Sequence, residues 1–244
     1  MFRVVIPTRF GSVRLPGKAL LPLAGKPLVQ WVYGCARAAG AAGVLIATDD
    51  ARILVAARAF GAEAVMTAAS HASGTDRIAE VARAQRWAEN DIVVNLQGDE
   101  PLMPPALIRQ VAALLESSPR ADVATLATPI DSVAEFLDVN AVKVVADAHG
   151  RALYFSRAPI PWNRDQTDAS GARRHIGIYA YRAGALLRLA GLEPSPLEIR
   201  EKLEQLRALE NGMTILVANA CESPGPDVNT PADLARVAEL IKSR

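Results

Sequence analysis

Val4-Val-Ile6, followed by Pro7-Thr-Arg-Phe-Gly-Ser-Val-Arg-Leu-Pro-Gly-Lys18, is the stretch on which the fold turns. A short, wholly apolar, β-branched run predicts a strand buried on both faces, as in a mainly parallel sheet. At Pro7 it gives way to a segment holding Gly11, Gly17 and the cations Arg9, Arg14 and Lys18. At the carboxyl end of a strand, that composition has the parts of a polyphosphate cradle. Glycines let backbone N–H groups approach the phosphates, and cations neutralise their charge. The alternative is a basic surface turn. It is not a Walker loop, because Gly11 and Gly17 stand one residue too far apart and Ala19 replaces the metal-binding Ser or Thr. No G-x-G-x-x-G occurs, which counts against a dinucleotide-dependent oxidoreductase.

Working outward, Val44–Thr48, Ile92–Leu96, Val123–Ala127 and Val142–Val145 read as further strands. Leu28–Ala39, Ala51–Phe60, Asp76–Ala88 and Ala106–Glu116 have helical composition, with Pro104 and Pro105 where a helix start tolerates proline. The alternation predicts an α/β fold, a doubly wound sheet with helices on both faces and ligand loops at the strand carboxyl ends. From residue 149 the pattern changes. Pro159, Pro161, Trp162, Asn163 and Asp165 lie in a stretch with little periodicity, read as a lid, an arm or an oligomer contact. His175–Tyr181 resumes a strand, and the excursion taken with its return spans 149–190. Ser195-Pro-Leu-Glu198 is a capping box that predicts a helix to about Asn211, stopped by Gly212. Thr230-Pro-Ala-Asp233 opens the last helix in the same way. With no repeat and no low-complexity tract, residues 1–244 read as a single domain.

Composition narrows the function. Of 244 residues, 27 are Lys or Arg and 26 are Asp or Glu, which gives no support to a nucleic-acid or membrane-surface role. No apolar run approaches the roughly 18 residues of a membrane span, and the run before Pro7 is too short for a signal peptide. Two distant cysteines, Cys35 and Cys221, fit a reduced, cytoplasmic setting. The distribution of charge is uneven: no acidic residue precedes Asp49, whereas Arg3, Arg9, Arg14, Lys18, Lys26 and Arg37 do. The amino-terminal segment is therefore suited to an anionic ligand.

Two more segments carry chemistry. Asn95-Leu-Gln-Gly-Asp-Glu-Pro101 follows an apolar strand, and a carboxylate there, Asp99, is placed to hold magnesium against a nucleotide. An ordinary Asp-Glu-Pro turn is the other reading. In Ser70-His-Ala-Ser-Gly-Thr-Asp-Arg77, Ser73, Gly74 and Thr75 offer donors at a helix start, with Arg77 one turn on; a plain N-cap with a solvated Arg explains it equally.

Taken together, these segments resemble the 3-deoxy-manno-octulosonate (Kdo) cytidylyltransferases. The resemblance continues through Asn140–Val145, Ala152–Ala158, Ile160-Pro-Trp162, His175–Tyr181 and Leu203-Glu-Gln-Leu-Arg207, covering nearly the whole chain. It implies a Rossmann-like nucleotidyltransferase fold and the transfer of CMP from CTP to Kdo, with pyrophosphate released. By the same resemblance Pro7, Thr8, Arg9, Ser12, Arg14 and Lys18 bind CTP, and Arg14, Lys18 and Asp99 act in catalysis. Ser73, Gly74, Arg77 and Gln97 line the nucleotide pocket, and Gln97 also faces the sugar. The acidic sugar falls to Arg157, His175, Tyr179, Glu204 and Gln205. Each has a plainer alternative: a surface ion pair for Arg157, a core pair for His175 and Tyr179, a polar helix face for Glu204 and Gln205. The cofactor implied is Mg2+, held by Asp99. Many family members carry a second acidic ligand where this chain has Asn229, with Asp227 two residues earlier; Asn229 is expected to supply an oxygen and Asp227 to tune the site. The resemblance further implies a homodimer, a cytoplasmic location and a place in lipopolysaccharide biosynthesis. A related acid, an 8-amino Kdo analogue or a sialic acid, is the alternative substrate, and a non-catalytic nucleotide sensor the alternative class.

Overall fold

A computed structural model describes residues 1–11 and 15–243. Ser12 and Arg14, two of the expected CTP ligands, lie outside the described residues. In chain order the elements begin with β1 (Phe2–Thr8), a 3-10 turn (Lys18–Leu20), the two-residue strands β2 (Pro22–Leu23) and β3 (Lys26–Pro27), and α1 (Leu28–Ala38). Then come β4 (Gly43–Thr48), α2 (Ala51–Ala59), β5 (Glu63–Met66), α3 (Gly74–Ala84), β6 (Ile92–Asn95), α4 (Pro105–Glu116) and β7 (Val123–Pro129). The remainder is α5 (Val133–Leu137), β8 (Lys143–Ala146), β9 (Ala152–Ser156), β10 (Arg173–Arg182), α6 (Ala183–Ala190), α7 (Pro196–Glu201), α8 (Gln205–Glu210), β11 (Ile215–Asn219) and α9 (Pro231–Lys242).

The central sheet runs β11-β7-β10-β6-β1-β4-β5, with β8 beside β10 and β9 beside β8. Its apolar runs are buried on both faces. Along β1, Val4 and Ile6 join one core with Val32 of α1 and Leu107 of α4. Val5, between them, points to the other core, with Ile78 of α3 and Leu186 of α6. The alternation is the strand period of two, and helices on both faces account for the absence of polar positions.

Four features differ from the sequence expectation. First, β10 is antiparallel to both neighbours, β6 and β7, inside an otherwise parallel path. Second, β5 pairs parallel with β4 at the edge, and its Glu-Ala-Val-Met is too short to announce itself. Third, the excursion contains β9, which pairs antiparallel with β8. Fourth, the helix expected from Pro196 to Asn211 is two helices. Lys202 adopts φ 55, a left-handed conformation that ends α7. The Arg157 guanidinium covers the carbonyls freed there, accepting roles taken by Glu201 O (2.6 Å from Nε) and Lys202 O (3.4 Å from Nη2).

Candidate active site

Three chain segments far apart in sequence meet at the carboxyl ends of β1 and β6. Gly17, at φ 68, turns the loop after β1 and donates its N–H to Phe10 O (3.0 Å), so that Lys18 is carried back over the strand tips. The Lys18 ammonium, with its side chain 16% exposed, donates to Asp99 Oδ2 (2.7 Å), Val228 O (3.0 Å) and Asn229 Oδ1 (3.2 Å). The Val228 N–H donates to Asp99 O (2.9 Å), which fastens the stretch before α9 to the tip of β6. Asn229 turns its other amide atom, Nδ2, to Asp227.

Acids crowd this point. Burial first, then the charges of Asp99 and Asp227, pushes the Glu100 carboxyl up to about 8. Asp227 is likewise raised, by burial and then by Asp99 and Asp233. The oxygens gathered around Lys18 are a carboxylate, an amide and a carbonyl. That all-oxygen set fits a hard divalent cation that keeps part of its water or phosphate shell. Among the described residues no cluster of three or more His, Cys, Asp or Glu side chains could cage a metal without such help.

Around this corner lies a cavity of about 380 Å³ lined by Pro7, Thr8, Arg9, Lys18, Ser73, Gly74, Arg77, Gln97, Asp99 and Asn229, all expected, and by Ala19, His71, Ala72 and Gly98, which were not. The amino terminus of α3 forms one wall. Ser73 and Asp76 exchange side-chain and backbone hydrogen bonds in a capping box, which fixes the first turn toward the cavity. Arg77 lines the cavity while 3% exposed, and its guanidinium donates to Asp49 Oδ2 (2.8 Å) and to Thr67. His71 is held by Glu80, which also accepts from the Ala68 N–H. His71 and Gly98 both stand inside segments already singled out; their neighbourhood in sequence was the signal. Asp49 carried none, because its role depends on the fold bringing β4 beside α3.

Gly98 is demanded by a close approach. A Cβ there would sit 2.6 Å from Thr8 Cγ2 and 3.0 Å from the Pro7 carbonyl oxygen. Gly98→Ala is expected to push the β1 tip outward and weaken CTP binding by about tenfold or more, since overpacking at backbone contact forces displacement. Calorimetric titration with CTP checks it, and unchanged affinity would contradict the contact.

Of the residues expected on the sugar side, Gln97 lines this cavity, whereas Arg157, His175, Tyr179, Glu204 and Gln205 do not. They form an adjoining group, joined to it through two hydrogen bonds. Gln97 Nε2 donates to Asn95 Oδ1 (3.2 Å), and Asn95 stands in register beside Tyr179. Thr75 Oγ1 donates to Glu204 Oε2 (2.7 Å), linking α3 to the start of α8, where Gln205 follows. His175 and Tyr179 do share a face of β10: their rings are 5.2 Å apart, with Phe155 edge-on to His175. His175 also meets Thr125 Oγ1 at 3.0 Å through Nε2. Arg157 has three of its five N–H groups on the carbonyls of Glu201, Lys202 and Val139. Asp227 reaches the site through Asn229 and does not line the cavity.

Burial, and secondarily the charge of Arg174, lowers the His175 pKa to about 3. The folded imidazole thus stays neutral where the unfolded one, with its ordinary value near 6.5, takes up a proton. Its contribution to stability is present above pH 6.5 and is lost as the pH falls toward 3. His175→Gln is expected to flatten the acid limb of the stability profile by up to about 1.4 kcal/mol per pH unit. Urea unfolding between about pH 4 and 6.5 measures it, and equal slopes would refute the assignment.

Strand tips that present glycine-lined backbone, a cation and clustered oxygens define an α/β protein that handles phosphorylated ligands. The family model for cytidylyltransferases matches residues 3–215. The 3-deoxy-manno-octulosonate cytidylyltransferase of Halorhodospira halophila is 54% identical over 250 residues, covering 99% of this chain and 97% of its own. That of Pseudomonas syringae pv. tomato is 56% identical over 250 residues, covering 99% and 98%. Among solved structures, a CMP:2-keto-3-deoxy-manno-octonic acid synthetase complexed with CTP superimposes with a TM-score of 0.93 at 44% identity, over 100% of this chain and 99% of its own. A nucleotidyl transferase from Methanothermobacter (TM-score 0.63, 17% identity, 100% and 99% covered) shares the fold alone. The chain belongs to the cytidylyltransferase family, in its 3-deoxy-manno-octulosonate branch.

Proposed function

We propose that this protein transfers CMP from CTP to 3-deoxy-manno-octulosonate and releases pyrophosphate, supplying the activated acidic sugar for lipopolysaccharide in the cytoplasm. The observation that carries the reading is the convergence of Lys18, Asp99 and Asn229 on one wall of a cavity whose other wall is the amino terminus of α3. It is supported by relatives of 54–56% identity that bear this activity in their names.

The sugar's anomeric 2-hydroxyl attacks the α-phosphorus while the α–β anhydride bond breaks. Both partners are anionic, so the main task is to suppress repulsion and hold them in line. Thr8, Arg9 and the α3 terminus hold the nucleotide, and Lys18 balances charge on the departing pyrophosphate; Arg14 and Ser12 are further CTP ligands in this reading. Gln97 stands between the two substrates. Arg157, His175, Tyr179, Glu204 and Gln205 orient the sugar, with the two remaining Arg157 N–H groups suited to its carboxylate. Asp99 and Asn229, with Asp227 tuning the site through Asn229, would hold Mg2+, which would supply neutralisation of phosphate charge.

Residues 1–244 act as one domain in this reading, and the protein is a homodimer. Exposed Val133, Leu137, Val139 and Trp162 gather around α5, where Trp162 stacks on Phe136, and supply an apolar contact. Pyrophosphate release with CTP, Mg2+ and a panel of acidic sugars tests the activity. Turnover with Kdo alone is expected; CTP binding without turnover on any acid would overturn the reading in favour of a nucleotide sensor.

A further inference from the structure

We propose that Glu201 is a positioning residue for the acidic-sugar side, a clamp that sets Arg157 and Glu204 in place at once. The inference rests on the proposed reaction and deepens it.

Glu201 is the last residue of α7. One carboxylate oxygen accepts from Ser156 Oγ (2.7 Å) and Tyr154 OH (3.4 Å) of β9, and the other accepts from the Arg157 N–H (3.0 Å). Its carbonyl takes Arg157 Nε (2.6 Å). One residue therefore binds the Arg157 main chain with its side chain and the Arg157 side chain with its main chain. Burial would raise the Glu201 carboxyl, but the Arg157, Ser156 and Tyr154 hydrogen bonds outweigh it and hold it below its usual range. The group is anionic and fully engaged.

The second half of the clamp follows from chain geometry. Immediately after Glu201 the left-handed Lys202 breaks the helix and redirects the chain, so that Glu204 enters α8 with its carboxylate on Thr75 Oγ1. A continuous helix through 196–211 would carry Glu204 to a different azimuth. The Arg157 contacts with Glu201 O and Lys202 O stabilise the break. Arg157 and Glu204 lie on elements separated by 47 residues of chain yet share one anchor. Glu201, Arg157, Ser156 and Tyr154 do not line the cavity that holds Lys18 and Asp99; only Glu204 approaches it, through Thr75 and Ser73 at the start of α3. Loss of the clamp should thus be felt first by the sugar and little by the nucleotide.

The test compares Glu201→Ala, Glu201→Gln and Ser156→Ala with the wild type in steady-state kinetics, and in hydrogen exchange of segments 154–158 and 199–206. Glu201→Ala is expected to raise the KM for Kdo by about tenfold or more, leaving the KM for CTP within about twofold. Gln keeps an acceptor for Ser156 but turns a donor on the Arg157 N–H, so its effect falls between, and Ser156→Ala is milder still. Exchange should quicken in the two segments and stay unchanged in β1. A rise of both KM values together, or unchanged exchange at Arg157, would overturn the proposal. If Glu201→Ala does not fold, the Gln and Ser156 variants decide by the same split. A wild type without turnover on Kdo overturns the proposed reaction instead, and the clamp then stands or falls on the exchange result.

Discussion

Lys18→Met is expected to lower kcat by about 10²–10³-fold while leaving the fold intact, as does the loss of one preorganised charge aimed at a developing anion. The side chain is held within 2.7 Å of Asp99 and within hydrogen-bond range of two further oxygens, so its position is set before substrate arrives. Methionine keeps the stem and deletes the charge. In the free protein the variant leaves Asp99, Glu100 and Asp227 with less compensation, which water and counter-ions can supply, since none of the three is fully buried. Circular dichroism and a melting curve should therefore change little. The discriminating measurement is single-turnover CMP transfer at saturating CTP. A rate within threefold of wild type, about 0.7 kcal/mol of barrier, would remove Lys18 from the mechanism.

Asp99→Asn is expected to cost at least as much, about 10³-fold, and to make the residual activity less responsive to magnesium. Asp99 ties together several contacts at this corner: it accepts from Lys18, its carbonyl receives the Val228 N–H, and its charge contributes to the raised Glu100. Asparagine retains the shape and the backbone bond. The loss is then electrostatic, and it should appear in kcat and in Mg2+ titrations together. Chelation of the wild type should mimic it, with recovery on adding Mg2+ back. Wild-type turnover in Asp99→Asn, or activity indifferent to chelator, would show that the oxygen cluster has another purpose.

The parallel core was legible because burial on two faces leaves a plain trace: Val4-Val-Ile6 and Ile92-Val-Val94 have no polar face to hide. The cavity at the strand tips was legible for a related reason. Its residues come in two short runs beside strand tips, Pro7–Lys18 and Gln97–Asp99, and in one helix start. The direction of β10 was not, because a strand buried between two others reads the same whichever way it runs. Nor was the break at Lys202. Its local sequence, Arg-Glu-Lys-Leu-Glu-Gln, favours helix, and the carbonyls freed at the interruption are bonded by Arg157 from a distant part of the chain. The ion pair that holds Arg77 was not legible either, because its partner Asp49 lies 28 residues back.

The insertion of β10 between β6 and β7 sets the order of events during synthesis. Residues 173–182 emerge only after about two-thirds of the chain has left the ribosome. Until then the β1–β4–β5–β6 half and the β7 strand share no ladder, and β6 and β7 each present an open edge inviting foreign strands. When β10 arrives it closes both edges in one step and carries His175 and Tyr179 to the rim where Asn95 and Gln97 wait. The nascent chain therefore gains a continuous sheet from β5 to β7 only with that late strand, and the corner of Lys18 and Asp99 is completed later still, when Val228 and Asn229 follow.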